Sequence, residues 1–255
     1  MLEQIAGILR RRIGLDPDVT GEEALRIAVR QAMHEAGETS WHTYAASLEC
    51  DEERLQALVE QVVVPETWFF RDGGPFEYLE RLARDTLSTG KPLRVLSAPC
   101  ASGEEAASVA IALRRAGRQA EVAAVDISRR LLERARGGFY TGASFRQWQP
   151  AEQWLQPVDS GWQLHSAITQ SIAWRRMNLL EPTFAFTERY DAVFCRNLLI
   201  YLTQEARRSV LNTLHNLLSP GGVLFLGHSE QPGHLAGHYE RVRHPAAFAW
   251  RKLEA

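Results

Sequence analysis

Apolar residues recur at helical spacing through the first third of the chain, then give way to short continuous runs divided by turns. Leu2, Ile5, Ile8 and Leu9 mark one helix. Thr20-Gly-Glu-Glu23 has the form of a capping box, with Thr20 as N-cap of a second. That helix would bury Ala24, Leu25, Ala28, Val29, Ala32 and Met33, leaving Arg26, Arg30 and His34 on the opposite face. Ser40 and Asp51 are placed to cap two more, the latter carrying Leu55, Leu58, Val59, Val62 and Val63. Pro75 suits the start of a helix with Phe76, Leu79 and Leu82. Beyond residue 90, strands and helices alternate. Leu93–Ala98 precedes a helix over Glu105–Ala116; Val122–Val125 ends at Asp126 and precedes a helix from Ser128 to Arg136. Ala192–Cys195 ends at Arg196-Asn197 and precedes a helix capped by Thr203. Pro220-Gly-Gly turns the chain into Val223–Leu226, and Ala246–Leu253 can return as a last strand. Alternation of this kind predicts an α/β, doubly wound, mostly parallel sheet. Between them, Trp162–Ile168 and Ser171–Met177 flank Thr169-Gln170 as an antiparallel hairpin, an insertion spanning about 140–177.

Composition narrows the class. The chain has 255 residues, of which 45% are hydrophobic and 24% charged, as in ordinary soluble domains. No apolar run approaches the ~18–20 residues of a spanning helix. The N-terminus places acid before base, the reverse of a secretory signal, so a cytoplasmic location is expected. Cys50, Cys100 and Cys195 are too scattered for a disulfide framework. Net charge is −2, and only Lys91 and Lys252 among 29 basic residues are lysines, which argues against general electrostatic binding to nucleic acid. Charge is also divided along the chain. Residues 1–85 sum to −8 and residues 86–255 to +6. With the turn-rich stretch Leu87–Pro92, this predicts an all-α domain over 1–88 and a second domain over 89–255.

In an open parallel sheet, ligands bind beyond the carboxyl ends of the strands. Ser97–Glu104, Asp126, Asn178-Leu179 and Arg196-Asn197 fall there. Small residues after the first strand permit close approach to the backbone. An acid ending the next strand suits ribose hydroxyls. The turn lacks GxGxxG, and two carboxylates would repel a pyrophosphate. A cationic nucleoside such as S-adenosylmethionine fits better than NAD.

Six segments, in order, resemble the CheR-type glutamate methyltransferases of bacterial chemotaxis. They are Pro65-Glu-Thr-Trp-Phe-Phe-Arg71, Leu96-Ser-Ala-Pro-Cys-Ala-Ser-Gly-Glu-Glu105, Asp126-Ile-Ser128, Ala135-Arg-Gly-Gly-Phe-Tyr140, Phe194-Cys-Arg-Asn-Leu-Leu-Ile-Tyr201 and Pro220-Gly-Gly-Val-Leu-Phe-Leu-Gly-His-Ser-Glu230. The resemblance implies a seven-stranded S-adenosylmethionine-dependent methyltransferase sheet, a small inserted antiparallel β-subdomain and an all-α N-terminal domain. It implies methyl transfer from S-adenosylmethionine to receptor glutamates, with S-adenosylhomocysteine as product and no metal. Thr67, Arg71, Glu104, Asp126, Asn178, Leu179, Arg196 and Asn197 would then hold the cofactor, Glu104 at the methionine end, Asp126 at the ribose and Asn178-Leu179 at the adenine. Independently of the resemblance, the chemistry needs a group to orient the acceptor carboxylate; Tyr201 is expected to do so through its hydroxyl, with Arg71 as the alternative catalytic residue. Pro65 and Ala101 stand where the family often has Asn and Thr. The partner implied is the cytoplasmic helical domain of a methyl-accepting chemoreceptor, docked on Arg26, Arg30 and His34; a solvated helix face is the plainer account of that stripe. The protein itself is expected to be a monomer, with no nucleic-acid partner and no membrane insertion. Two other functions fit the same residues: a non-catalytic S-adenosylmethionine-binding scaffold on receptor arrays, and methylation of a different acceptor.

Other features take structural readings. Trp68, Phe69 and Phe70 suit a core better than a cofactor-stacking box. Cys100 and Cys195 suit packing. His228-Ser-Glu230 is local adjacency rather than triad geometry. His234 and His238 lack the neighbouring acid of a zinc motif.

Overall fold

The computed structural model describes residues 1–86, 91–146, 148–181 and 189–254. The helical part comprises α1 (Leu2–Ile13), α2 (Pro17–Thr20), α3 (Glu22–Glu35), α4 (Trp41–Ser47) and α5 (Glu52–Val62), followed by α6 (Gly74–Asp85). Ser40 and Asp51 cap α4 and α5 through their side-chain oxygens. The expected capping box at Thr20 does not form. Asp16 caps a one-turn helix that begins at Pro17. Thr20 therefore ends that turn, its hydroxyl donating to the Asp16 carbonyl, and Gly21 (φ 83°) stands at the N-cap of α3. On α3, Leu25, Ala28, Val29, Ala32 and Met33 are buried as the spacing requires, whereas Ala24 is exposed.

Seven strands form the main sheet, in the order β6-β2-β1-β7-β8-β10-β9. In chain order the second part runs β1 (Leu93–Ser97), α7 (Glu104–Arg115), β2 (Ala120–Asp126), α8 (Arg129–Gly137), β3 (Phe139–Tyr140), β4 (Leu155–Val158), β5 (Gly161–Leu164), α9 (Ser166–Thr169), β6 (Ile172–Arg176), β7 (Tyr190–Cys195), α10 (Gln204–Leu217), β8 (Leu218–Leu226), β9 (Tyr239–Arg241) and β10 (Ala249–Lys252). Strands β6, β2, β1, β7 and β8 pair in parallel; β10 pairs antiparallel with β8 and β9. The late apolar run is thus a returning strand, as the sequence predicts.

The hairpin expected over Trp162–Met177 is not there. Residues 172–176 run parallel to β2 as the edge of the main sheet, and Ser166–Thr169 is a helical turn. The antiparallel insertion is instead the three-stranded sheet β3-β5-β4, from Phe139 to Leu164. Its hairpin turns at Asp159-Ser160, with Val158 opposite Gly161.

Packing changes from one core to the other upstream of the predicted boundary near 88. Helices α1, α3, α4 and α5 bury their faces on one another as far as Val62. Phe69, Phe70, Phe76, Leu79 and Leu82 pack with the sheet residues Val95, Phe194 and Phe225, so α6 covers the sheet. Residues 87–90, the turn-rich stretch itself, lie outside the described residues. Among the described residues no helix is long and apolar enough to cross a membrane, and no group of metal-ligating side chains is found.

Candidate functional site

The order of the sheet reverses at β1, with β2 on one side and β7 on the other, which opens a crevice at their carboxyl ends. The turn after β1 is held tightly there. Gly103 (φ 97°) has no room for a side chain, since a Cβ would come 2.7 Å from Ala135 Cβ and 2.9 Å from the Tyr140 hydroxyl. Tyr140, fully buried, donates from that hydroxyl to the Ser102 carbonyl at 3.1 Å. The small residues here therefore serve close packing as well as access.

Asp126 ends β2 and is 5% exposed. Its carboxylate accepts the Ala101 N–H at 2.8 Å and the Ser128 N–H at 2.9 Å. Burial nevertheless dominates and pushes its pKa up to about 6. The turn beyond it is braced from the helical part. Glu60 on α5 accepts the Ser128 hydroxyl and, at 2.7 Å, the Arg129 N–H at the start of α8.

Between this rim and the helices lies a cleft. Ile13, Val62, Val63 and Val64 form one wall; Ile127, Leu179 and Leu198 form the other. Asp126, Asn178, Asn197 and Tyr201 reach it, and among the described residues Asp126 is the one charged group in its lining. Asn178 already donates from its amide to the Arg12 carbonyl at 2.8 Å and accepts the Leu180 N–H at 3.1 Å, which fastens α1 to the rim. Asn197 has a left-handed backbone (φ 58°). Tyr201 accepts the Asp16 N–H at its carbonyl, beside the Leu15–Leu202 bridge, so the two parts of the molecule join at the mouth of the cleft. A sequence model of the CheR methyltransferase SAM-binding domain matches residues 65–248. The chain belongs to the CheR methyltransferase family.

Relatives agree with that assignment. The chain is 37% identical to the "Probable biofilm formation methyltransferase WspC" of Pseudomonas aeruginosa, over 99% of this chain and 62% of that protein. Against the WspC of Pseudomonas putida the identity is 37%, over 92% and 60%. It is 33% identical to "Chemotaxis protein methyltransferase 1" of Pseudomonas aeruginosa, over 77% of each. The chain thus spans about three fifths of the length of the WspC relatives.

The cofactor of a CheR SAM-binding domain is S-adenosylmethionine, and the cleft suits it. Apolar walls match the uncharged adenosine part of that molecule, a buried carboxylate can accept from ribose hydroxyls, and no cation in the described lining offers a partner for phosphate. Asp126, Asn178, Leu179, Asn197 and Tyr201 are brought together there. The other predicted residues lie outside that lining. Glu104 is 1% exposed, and its two oxygens accept from the hydroxyls of Ser144 and Ser102, each at 2.7 Å. Thr67 is half-buried on the connecting segment. Arg71 lies over the Trp68 ring at 4.3 Å and donates to the Glu66 carbonyl. Trp68 is half-buried under both Arg71 and Arg146, whereas Phe69 and Phe70 are core.

Arg196 is fixed behind the rim. It donates to Glu105 at 3.1 Å, to Asp72 at 2.6 Å and to the Arg71 carbonyl at 3.1 Å, while its buried Nε has no partner. Burial raises the Glu105 pKa, against the pull of Arg196 and the Ser97 hydroxyl. Sequence reading missed Asp72 and Glu105 as a pair about one guanidinium, although Glu105 ends one of the segments that carry the family resemblance and Asp72 directly follows another. Burial also raises Cys100 and Cys195 well above the usual thiol range, in keeping with packing roles. On α3, Arg30 and His34 are exposed, but Arg26 is occupied by Glu22 and Glu23.

Proposed function

We propose that the chain transfers the methyl group of S-adenosylmethionine to glutamate side-chain carboxylates in the cytoplasmic helical domain of a chemoreceptor, forming methyl esters for sensory adaptation. The observation that carries this reading is the CheR cleft with a single described charge, Asp126, between apolar walls. Kinship with a chemotaxis protein methyltransferase supports the receptor as acceptor.

The cofactor supplies a methyl group on a sulfonium, which is electrophilic without further activation. An acceptor glutamate, with an ordinary pKa of about 4.3, is already ionised at neutral pH. No side chain has to act as general base. What the protein contributes is alignment and exclusion of water, worth about 7–11 kcal/mol when the reacting groups are well held. Asp126 takes the ribose hydroxyls, Asn178 and Leu179 frame the adenine, and Asn197 closes the rim. Tyr201, at the cleft and pinned through its backbone to Asp16, directs the acceptor carboxylate with its hydroxyl. Arg196 and Glu104, each buried in its own hydrogen bonds, stiffen the floor on which the methionine end rests. Thr67 and Arg71 border it from the connecting segment. Partial desolvation favours the step, since carboxylate and sulfonium charges cancel as the methyl moves. Arg30 and His34, with Arg26 behind them, offer a cationic face to an acidic helical receptor.

Incubating the protein with tritiated S-adenosylmethionine and membranes of the source organism tests this. An alkali-labile label on a receptor-sized band is expected. An alkali-stable label would mean another acceptor, and cofactor binding without any label would mean a scaffold.

A further inference from the structure

His228-Ser-Glu230 plays no part as a triad, yet its carboxylate is buried at 7% exposure. Glu230 Oε2 accepts the Gly227 N–H at 2.7 Å and the Asn197 N–H at 2.9 Å; Oε1 accepts the Ile200 N–H at 3.3 Å. Among the described residues no cation pairs with it. A buried carboxylate balanced by main-chain donors alone is expensive, and its worth lies in fixing the backbone that supplies those donors. Two of the three belong to the loop after β7, and the third to the end of β8. The approach of these segments is close. A Cβ on Gly227 would come 2.7 Å from Glu230 Oε2 and 2.9 Å from Asn197 Nδ2. The loop needs such a tie. Asn197 holds a left-handed conformation, which asparagine tolerates better than most residues but which still has to be fixed in place, and the next turn delivers Tyr201 to the cleft.

We infer that Glu230 is a positioning residue: its carboxylate, clamped between Gly227 and the Asn197–Ile200 loop, sets Asn197 and Tyr201 at the mouth of the cleft. This rests on the cleft being the S-adenosylmethionine site. It adds a residue that touches neither cofactor nor acceptor. Replacing one carboxylate oxygen by an amide would point a donor at donors, so the loop would have to be reordered on every binding event.

The test uses the full chain and S-adenosylhomocysteine as probe, with calorimetry and thermal melting on wild type and Glu230→Gln. The dissociation constant is expected to rise about tenfold, the loss of roughly one charge-assisted hydrogen bond. With receptor membranes, the KM for S-adenosylmethionine rises as Asn197 is displaced, and methyl transfer slows as the Tyr201 hydroxyl loses its placement. Equal affinity of both proteins, or a lower melting temperature with affinity intact, overturns the inference and leaves the cofactor site standing. Failure of the wild type to bind the probe removes both. Hydrogen exchange of wild type, with and without probe, decides the matter should the variant fail to fold. Segments 196–201 and 226–230 should gain protection together, and a response confined to the first refutes the clamp.

Discussion

Cofactor affinity should fall in mild acid, because Asp126, the acceptor we propose for the ribose hydroxyls, is a buried carboxyl with a pKa of about 6. Ionised Asp126 presents two oxygens as acceptors; protonated, it loses its charge and part of that capacity. With a midpoint near 6, the ionised fraction drops from about nine tenths at pH 7 to about one tenth at pH 5. The affinity for S-adenosylhomocysteine should drop by up to ~10-fold over that interval, since only the ionised form binds well. The ligand's own amino and carboxyl groups hold their charges there. Folding carries the opposite sign. The folded value lies above the ordinary 3.8, so the folded chain holds the proton more firmly than the unfolded one. This group costs nothing below about pH 4, a growing penalty towards 6, and roughly 3 kcal/mol beyond. Titration calorimetry from pH 5 to 7.5 checks the first effect, with Asp126→Asn as control. A wild-type affinity that is level across the interval, or an identical slope in Asp126→Asn, would refute the reasoning.

Other outcomes follow from the same geometry. Arg196→Met should destabilise the fold by about 3–5 kcal/mol, read by urea unfolding, because Glu105 and Asp72 lose a shared, buried cation. Tyr201→Phe should slow methyl transfer while leaving S-adenosylhomocysteine affinity within about twofold; an unchanged rate would take the hydroxyl out of catalysis. Arg30→Glu should weaken receptor methylation more than Arg26→Glu does, since Arg26 is already neutralised by Glu22 and Glu23; equal effects in a labelling assay would argue against docking on α3.

Strong, local signals in the chain translated directly into structure. Asp126 follows an apolar run and ends its strand; Thr203 precedes an amphipathic helix and caps it. Failures arose where two local devices competed or where a partner was distant. Asp16-Pro17 outcompeted Thr20 as a helix start. Strand β4 hid behind Pro157, a residue that weakens any strand reading except at a sheet edge. The one-sided burial of β6 resembles half of a hairpin, yet its exposure comes from its place at the rim of a parallel sheet. Glu105, Asp72 and Glu230 find hydrogen-bond partners 30 to 124 residues away, which spacing alone does not reveal.

The valine wall at Val62–Val64 and the brace from Glu60 come from the helical part, so the nucleoside pocket is shared property. An isolated fragment starting at residue 65, where the family match begins, would retain the acid at the rim and lose one side of the pocket. On the proposed reading, ligand occupancy and attachment of the helices are linked: a receptor that drew on the helices would also act on how tightly the methyl donor is kept.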